Sequence, residues 1–260
     1  MPTHRKRGLP QADREPYKPW SYDLAATDVY IPRFRAGQQR WFAAVTRSGT
    51  KKQHVRVMVL AQQTTTKRWE MVAAVDLDDP KKLPKISLDA DADADGYATA
   101  LNATSSKDAA TPVTTLRTAV GDNFATGGDL SERKVFTSSK ATSRQIKAHD
   151  KTVHKFGSHG VTTFSAAAPE FTGSYALKAA DGQALVVFTH NHTQRDTVFS
   201  GFEIIPEKND RAWLGTTNSP YFTYEFTRSD VAAVPTVPGR STLLGYTCRR
   251  TDAHGMPPSS

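Results

Sequence analysis

The sequence predicts an α+β fold of two curved antiparallel sheets, the second covered by helices, and three patterns carry that prediction. Apolar residues alternate with period two through three early runs. One strongly amphipathic stretch with period 3.6 lies in mid-chain, and an Asp-Gly pair in the second half joins two further strand-like runs.

Residues 1–21 are rich in Pro, Arg, Lys, Asp and Glu and cannot bury enough apolar surface to offset the entropy of ordering, so they read as a flexible basic arm. Strand patterning begins near Val29 and continues through runs 41–46, 55–61 and 69–75. In the second run Val55, Val57 and Val59 share a face, and in the third Trp69, Met71, Ala73 and Val75 do. Short polar connections at 47–54 and 62–68 join the runs as an antiparallel meander. Residues 22–110 are therefore expected to form a meander half-domain, its end a loop-rich stretch with an acidic repeat at 89–96.

Residues 111–255 are expected to hold helices and a second antiparallel sheet. Pro112 opens a helix in which Val113, Leu116 and Val120 recur before Gly121. The clearest helix lies within 138–156: Thr142, Ile146, His149, Val153 and Phe156 fall on one side, and Lys140, Arg144, Lys147, Lys151 and Lys155 on the other. Gly157 and Gly160 supply its stop. Strands at 175–179 and 184–189 flank Asp181-Gly182, a pair suited to the positive φ of a tight turn. Further strands are expected at 197–205, 221–227 and 242–249, with Leu244, Tyr246 and Cys248 on one face, before a tail at 256–260.

A one-sided meander must bury its apolar face, and a helix is the usual cover in small α+β folds. The polar arm cannot serve, so the expectation is that the chain begins inside a larger protein whose first helices precede Met1. No run of 18 apolar residues occurs, so no helical transmembrane segment is expected. Arg5, Lys6 and Arg7 are not followed by the apolar core of a secretory signal, and the single Cys248 cannot close an intramolecular disulfide. The net charge of +8 is compatible with anionic partners, and residues 133–155 concentrate it, with seven cations against one acid.

The stretches Arg40-Trp-Phe-Ala-Ala-Val-Thr46, Trp69-Glu-Met-Val-Ala-Ala-Val75, Leu83-Pro-Lys-Ile-Ser-Leu-Asp89 running into Asp95-Gly-Tyr-Ala-Thr-Ala100, and Tyr175-Ala-Leu-Lys-Ala-Ala-Asp-Gly-Gln-Ala-Leu-Val-Val187 resemble an uncharacterised family of actinobacterial lipoproteins and secreted proteins. The resemblance spans 29–248. It implies tandem cystatin-like or nuclear-transport-factor-like α+β units, a lipoprotein signal and helical portion ahead of them, and a cell-envelope or extracellular address. Without it, the signal-free chain would read as cytoplasmic. The resemblance carries over no catalytic residue or cofactor.

Three sites are candidates. Asp91, Asp93 and Asp95 with Gly96 match the opening of a calcium loop, although Asn102 stands where a bidentate Glu is needed, and a solvated Asp-Ala repeat gives the same letters. His190 and His192 share a strand face at a spacing that suits zinc if a third ligand converges, while two exposed histidines near a strand end are the plainer account. Lys140, Arg144, Lys147, Lys151 and Lys155 form a stripe for nucleic acid or an anionic envelope polymer, or simply the solvent face of a helix. No Gly-x-Ser-x-Gly elbow, activated cysteine or phosphate-cradling loop is present. The leading reading is a non-enzymatic extracytoplasmic module, needing no cofactor, that binds a small ligand in the concavity of a sheet or docks to an envelope protein. A hydrolase or isomerase in the same concavity is the alternative: a strongly perturbed carboxylate or histidine at its floor would favour the enzyme, and an apolar floor would favour binding.

Overall fold

The computed structural model describes residues 22–49, 53–62, 68–89, 96–130, 132–167, 173–215 and 217–255. The arm at 1–21, the tail at 256–260 and the acidic repeat with Asp91, Asp93 and Asp95 lie outside the described residues.

The first sheet contains β1 (Thr27–Tyr30), β2 (Trp41–Ser48), β3 (His54–Ala61) and β4 (Glu70–Asp76), antiparallel and in sequence order. The second contains β5 (Ala100–Leu101), β6 (Gly160–Ala167), β7 (Ser174–Lys178), β8 (Ala184–Val198), β9 (Tyr221–Val234) and β10 (Thr242–Gly255). Its order is β10-β9-β8-β7-β5, with β6 also pairing β8, and its named strands pair antiparallel. The two long helices are α1 (Val113–Ala125) and α3 (Lys140–Val153), while α2 (Glu132–Val135) and α4 (Arg211–Leu214) are single turns. The fold is thus α+β with two antiparallel sheets.

Burial explains the layering. Trp41, Ala43, Val45, Val55, Val57, Val59, Ala73 and Val75 of the first sheet pack on Leu177, Leu185, Val187, Val231, Ala233 and Leu244 of the second. The alternate residues Ala176, Val186, Phe188, Ala232 and Val234 pack instead beneath Val113, Leu116, Ala119 and Val120 of α1. A strand buried on both faces must be apolar at consecutive positions, as 184–188 and 231–234 are. The cover over the first meander is therefore the second sheet and not a helix, which removes the physical argument for missing helices.

Two bulges correct the expected facing of side chains. Between β3 and β4 the register slips after Val59, which pairs with Ala73 while Leu60 pairs with Met71. Val72 takes the inward place, and Met71 is left 58% exposed. In β10 the register shifts between Leu243 and Gly245, so Leu244 packs toward the first sheet while Tyr246 turns toward α1. Gly245 bridges Leu77 there, and a Cβ would stand 2.5 Å from the Asp76 carbonyl oxygen.

Other elements shift in length. α1 runs through Gly121 to Ala125, ending where Gly127 and Gly128 take positive φ. Ser139 caps α3 through a reciprocal pair of hydrogen bonds with Thr142, and α3 ends at Val153. The turn at Asp181-Gly182 joins β7 and β8 as expected, with Gly182 at φ 82°. The strand expected at 197–205 leaves the sheet at Val198, and a further strand, β6, carries the strand-favouring residues Val161, Thr162, Thr163 and Phe164.

Candidate functional site: a histidine-floored cleft

Along one edge β8 has two successive partners. Its register with β7 ends at the Ser174–Phe188 pair, and with β6 it begins at the Ala167–Asn191 pair. Arg117 of α1 reaches over this handover, its Nε donating to the Thr189 carbonyl oxygen at 2.9 Å and its Nη2 to that of Gly173 at 3.3 Å. Here a cleft of about 470 Å³ opens between α1 and the strands. Its walls are Phe124, Ala125 and Leu130 on the helical side and Phe164 and Ala166 on β6, and His190 and His192 belong to its lining from β8.

Strand parity assembles a polar cluster beneath. Tyr224, Phe226, Arg228 and Asp230 alternate along β9 on the face toward α1 and α3, and the backbone register sets Arg228 opposite His190. Asp230 is the hub. Its Oδ1 accepts from Arg228 Nη2 at 2.9 Å and from Gln145 Nε2 at 3.2 Å, and its Oδ2 lies 3.2 Å from His190 Nδ1, at ion-pair distance but off the line of a hydrogen bond. Asn123 of α1 donates to Gln145 in turn. The Arg228 guanidinium lies over the rings of Phe124 and Tyr246, and the His192 ring stacks between Phe124 and Phe226, 5.1 and 5.0 Å between centroids. Aromatic faces offset part of the cost of bringing these cationic and polar groups out of water.

Burial depresses His190, assisted by Arg228 and Arg117 and opposed by Asp230. His192 is pushed down to about 3, first by burial and then by Arg228, so both imidazoles are neutral at neutral pH. Burial pushes Asp230 upward, but Arg228 and His190 outweigh it and hold the carboxylate below its ordinary value. Among the described residues, Arg228 Nε and Nη1, His190 Nε2 and His192 Nδ1 have no hydrogen-bond partner. Each unmade hydrogen bond at a buried group costs about 1–3 kcal/mol, and such groups, with their perturbed acidities, concentrate at functional sites.

The histidine pair thus departs from the expected exposed position: His190 and His192 are 7% and 6% exposed. Among the described residues no group of three potential metal ligands converges, so the pair lacks the third ligand that zinc requires. The partners Arg228 and Asp230 went unnoticed in the sequence, although they share the parity of Phe222, Tyr224 and Phe226, which places them indoors.

Lys140, Arg144, Lys147 and Lys151 lie on the exposed face of α3, and Lys155 follows in the next turn. The structure gathers Lys140, Arg144 and Lys147 with Lys82, Ser138, Ser139 and Ser143 around an open groove of about 630 Å³, to which Asp79 also contributes. Lys151 and Lys155 are not part of that groove. Arg144 is engaged by Asp78 at 2.9 Å, by the Tyr246 carbonyl and by the Tyr246 ring, and Lys155 lies 3.3 Å from Asp196 and 3.8 Å from Glu207.

The chain is similar to two uncharacterised lipoproteins of Streptomyces coelicolor. One is 51% identical over 251 residues, covering 96% of this chain and 69% of the relative. The other is 28% identical over 237 residues, covering 90% of this chain and 67% of the relative. No solved structure matches. The family match extends over residues 3–255, and the chain belongs to DUF8094, a domain of unknown function.

Proposed function

We propose that this protein is a ligand-binding module of the cell envelope, its ligand held in the cleft between α1 and the β6–β8 handover. The observation that carries this reading is an apolar-walled cavity with two buried, incompletely bonded histidines in its lining. The lipoprotein relatives support the envelope address, and no helix among the described residues is long and apolar enough to cross a membrane. A helix-covered antiparallel sheet with its cavity under the helix suits a cystatin-like or nuclear-transport-factor-like cone in the second half of the chain. The test is uptake of an environment-sensitive apolar dye. Ala166→Trp, which fills the cleft from an exposed position on β6, should abolish the fluorescence gain without lowering Tm, and an undiminished gain would refute the assignment.

The enzyme reading draws on the same floor, because His190 is a neutral base beside an ionised carboxylate. Binding stands ahead because no hydroxyl or thiol among the described residues hydrogen-bonds either His190 nitrogen, so no activated nucleophile is assembled there. Polyanion binding draws on the serine- and lysine-lined groove at the start of α3, to which Lys140, Arg144 and Lys147 of the stripe belong and Lys151 and Lys155 do not. For it, affinity for a polyphosphate at low salt should fall on reversing Lys140 and Lys147, and unchanged affinity would dismiss it.

A further inference from the structure

We propose that the cleft takes an apolar-bodied organic acid, whose carboxyl proton passes to His190 Nε2 on binding. This rests on the cleft being the ligand site. His190 Nδ1 faces the Asp230 carboxylate at 3.2 Å, and Arg228 holds that carboxylate in its ionised form. The imidazole proton therefore belongs on Nδ1, next to the negative oxygen, and Nε2 keeps its lone pair. That nitrogen is buried and has no hydrogen-bond partner among the described residues. An unsatisfied lone pair on a buried residue that lines an apolar cavity selects a ligand that brings a proton.

The surrounding charges narrow the class of ligand. Arg228 and Asp230 of β9, Arg117 of α1 and His192 of β8 stand nearest His190, while Asp122 of α1 lines the same cleft, Gln145 of α3 bonds Asp230, His149 of α3 packs on Phe164, and Cys248 of β10 lies near the Arg228–Asp230 pair. Asp122 is occupied by the Thr126 hydroxyl and the Leu130 amide, and His149 Nδ1 by the Phe124 carbonyl. The charges that act on His190 itself are two guanidinium groups against one carboxylate. An ammonium head would meet that cationic excess, whereas a carboxylate is favoured by it. In the transfer the ligand O–H bond breaks and an N–H bond forms at Nε2. The imidazolium then lies between Asp230 and the new carboxylate, and no net charge has entered the site. The volume matches roughly fifteen waters, which limits the body to about ten carbons.

Calorimetry of the full chain with decanoic acid, 1-decanol and decylamine, at pH 7 in two buffers of different ionisation enthalpy, tests the inference. Decanoate, ionised in solution, should bind with uptake of close to one proton, its affinity rising about tenfold for each unit of pH lowered between 8 and 6. Decanol and decylamine should bind at least tenfold more weakly, on the order of 1.4 kcal/mol. His190→Gln should weaken decanoate and abolish proton uptake, with its Tm and near-ultraviolet spectrum reporting that the fold is intact. Decanoate binding without proton uptake, or decanol binding equally well, would overturn the acid assignment while leaving the cleft as a ligand site. If none of the three binds and Ala166→Trp leaves dye uptake unchanged, the cleft reading itself fails.

Discussion

Arg228 and Asp230 form an ion pair with no solvent exposure on either side chain, Nη2 standing 2.9 Å from Oδ1 in the middle of the long β9 strand. Removing water from both charges is costly, and their attraction offsets the cost only while both are present. Asp230→Asn keeps the shape but strands the guanidinium. It should destabilise the fold by about 3–5 kcal/mol at pH 7, read from the denaturant midpoint. The double variant Arg228→Met, Asp230→Leu should recover most of that loss. Because folding lowers the Asp230 pKa, its contribution is complete above the unfolded value of about 3.9 and disappears as pH falls through the folded value.

His192 makes stability depend on pH in a higher window. Its ordinary value of 6.5 drops to about 3 in the folded chain, so between these limits the unfolded chain binds a proton that the folded chain refuses. Stability should be full above pH 6.5 and decline as pH falls toward 3, by on the order of 4–5 kcal/mol across the window, with His190 acting in the same direction. His192→Phe places a third phenyl ring between Phe124 and Phe226. It should flatten the profile from pH 6.5 to 4 while preserving stability at pH 7, and an unchanged slope in urea titrations would show that the proton linkage lies elsewhere.

Cys248 should be a poor nucleophile. Burial raises its thiol from 9.0 to about 11, outweighing the opposing pull of Arg228. At neutral pH the thiolate fraction is then about a hundredfold below that of an unperturbed thiol, and alkylation by iodoacetamide should slow by a similar factor. Unfolding in urea should restore the ordinary rate, and equal rates before and after unfolding would contradict the burial.

The fold was legible where one face of an element decides its fate. Val55, Val57 and Val59, the turn at Asp181-Gly182 and the two-sided helix with Thr142 and His149 inward all followed from periodicity. Periodicity cannot see a bulge, which is why Met71 and Leu244 were assigned the wrong faces. Nor can it say what covers an apolar face, and a second sheet satisfied Val57 and Val75 as well as a helix would have done. The candidate cleft was half legible. The His190 and His192 spacing was visible, but their environment depends on which residues β9 sets opposite them, and that pairing spans roughly forty residues of chain that no local pattern links.

The junction of the two sheets depends on one missing methyl group. Asp76 and Leu77, at the end of β4, approach Gly245 so closely that a Cβ would stand 2.5 Å from the Asp76 oxygen and 2.9 Å from the Leu77 Cα. Both obstacles are backbone, held by the Leu77–Gly245 bridge and by the Asp78 amide donating to the Leu244 carbonyl. They cannot step aside as a side chain would. Gly245→Ala should therefore cost about 1–3 kcal/mol, at about 2–4 °C of Tm for each. Gly121 supplies the contrast: it sits inside α1, and nothing lies within 4 Å of its added Cβ. There the same methyl should raise stability by about 0.5–1 kcal/mol through helix propensity. If both alanines changed Tm in the same direction, close approach of the two sheets at Gly245 would not be what determines its identity.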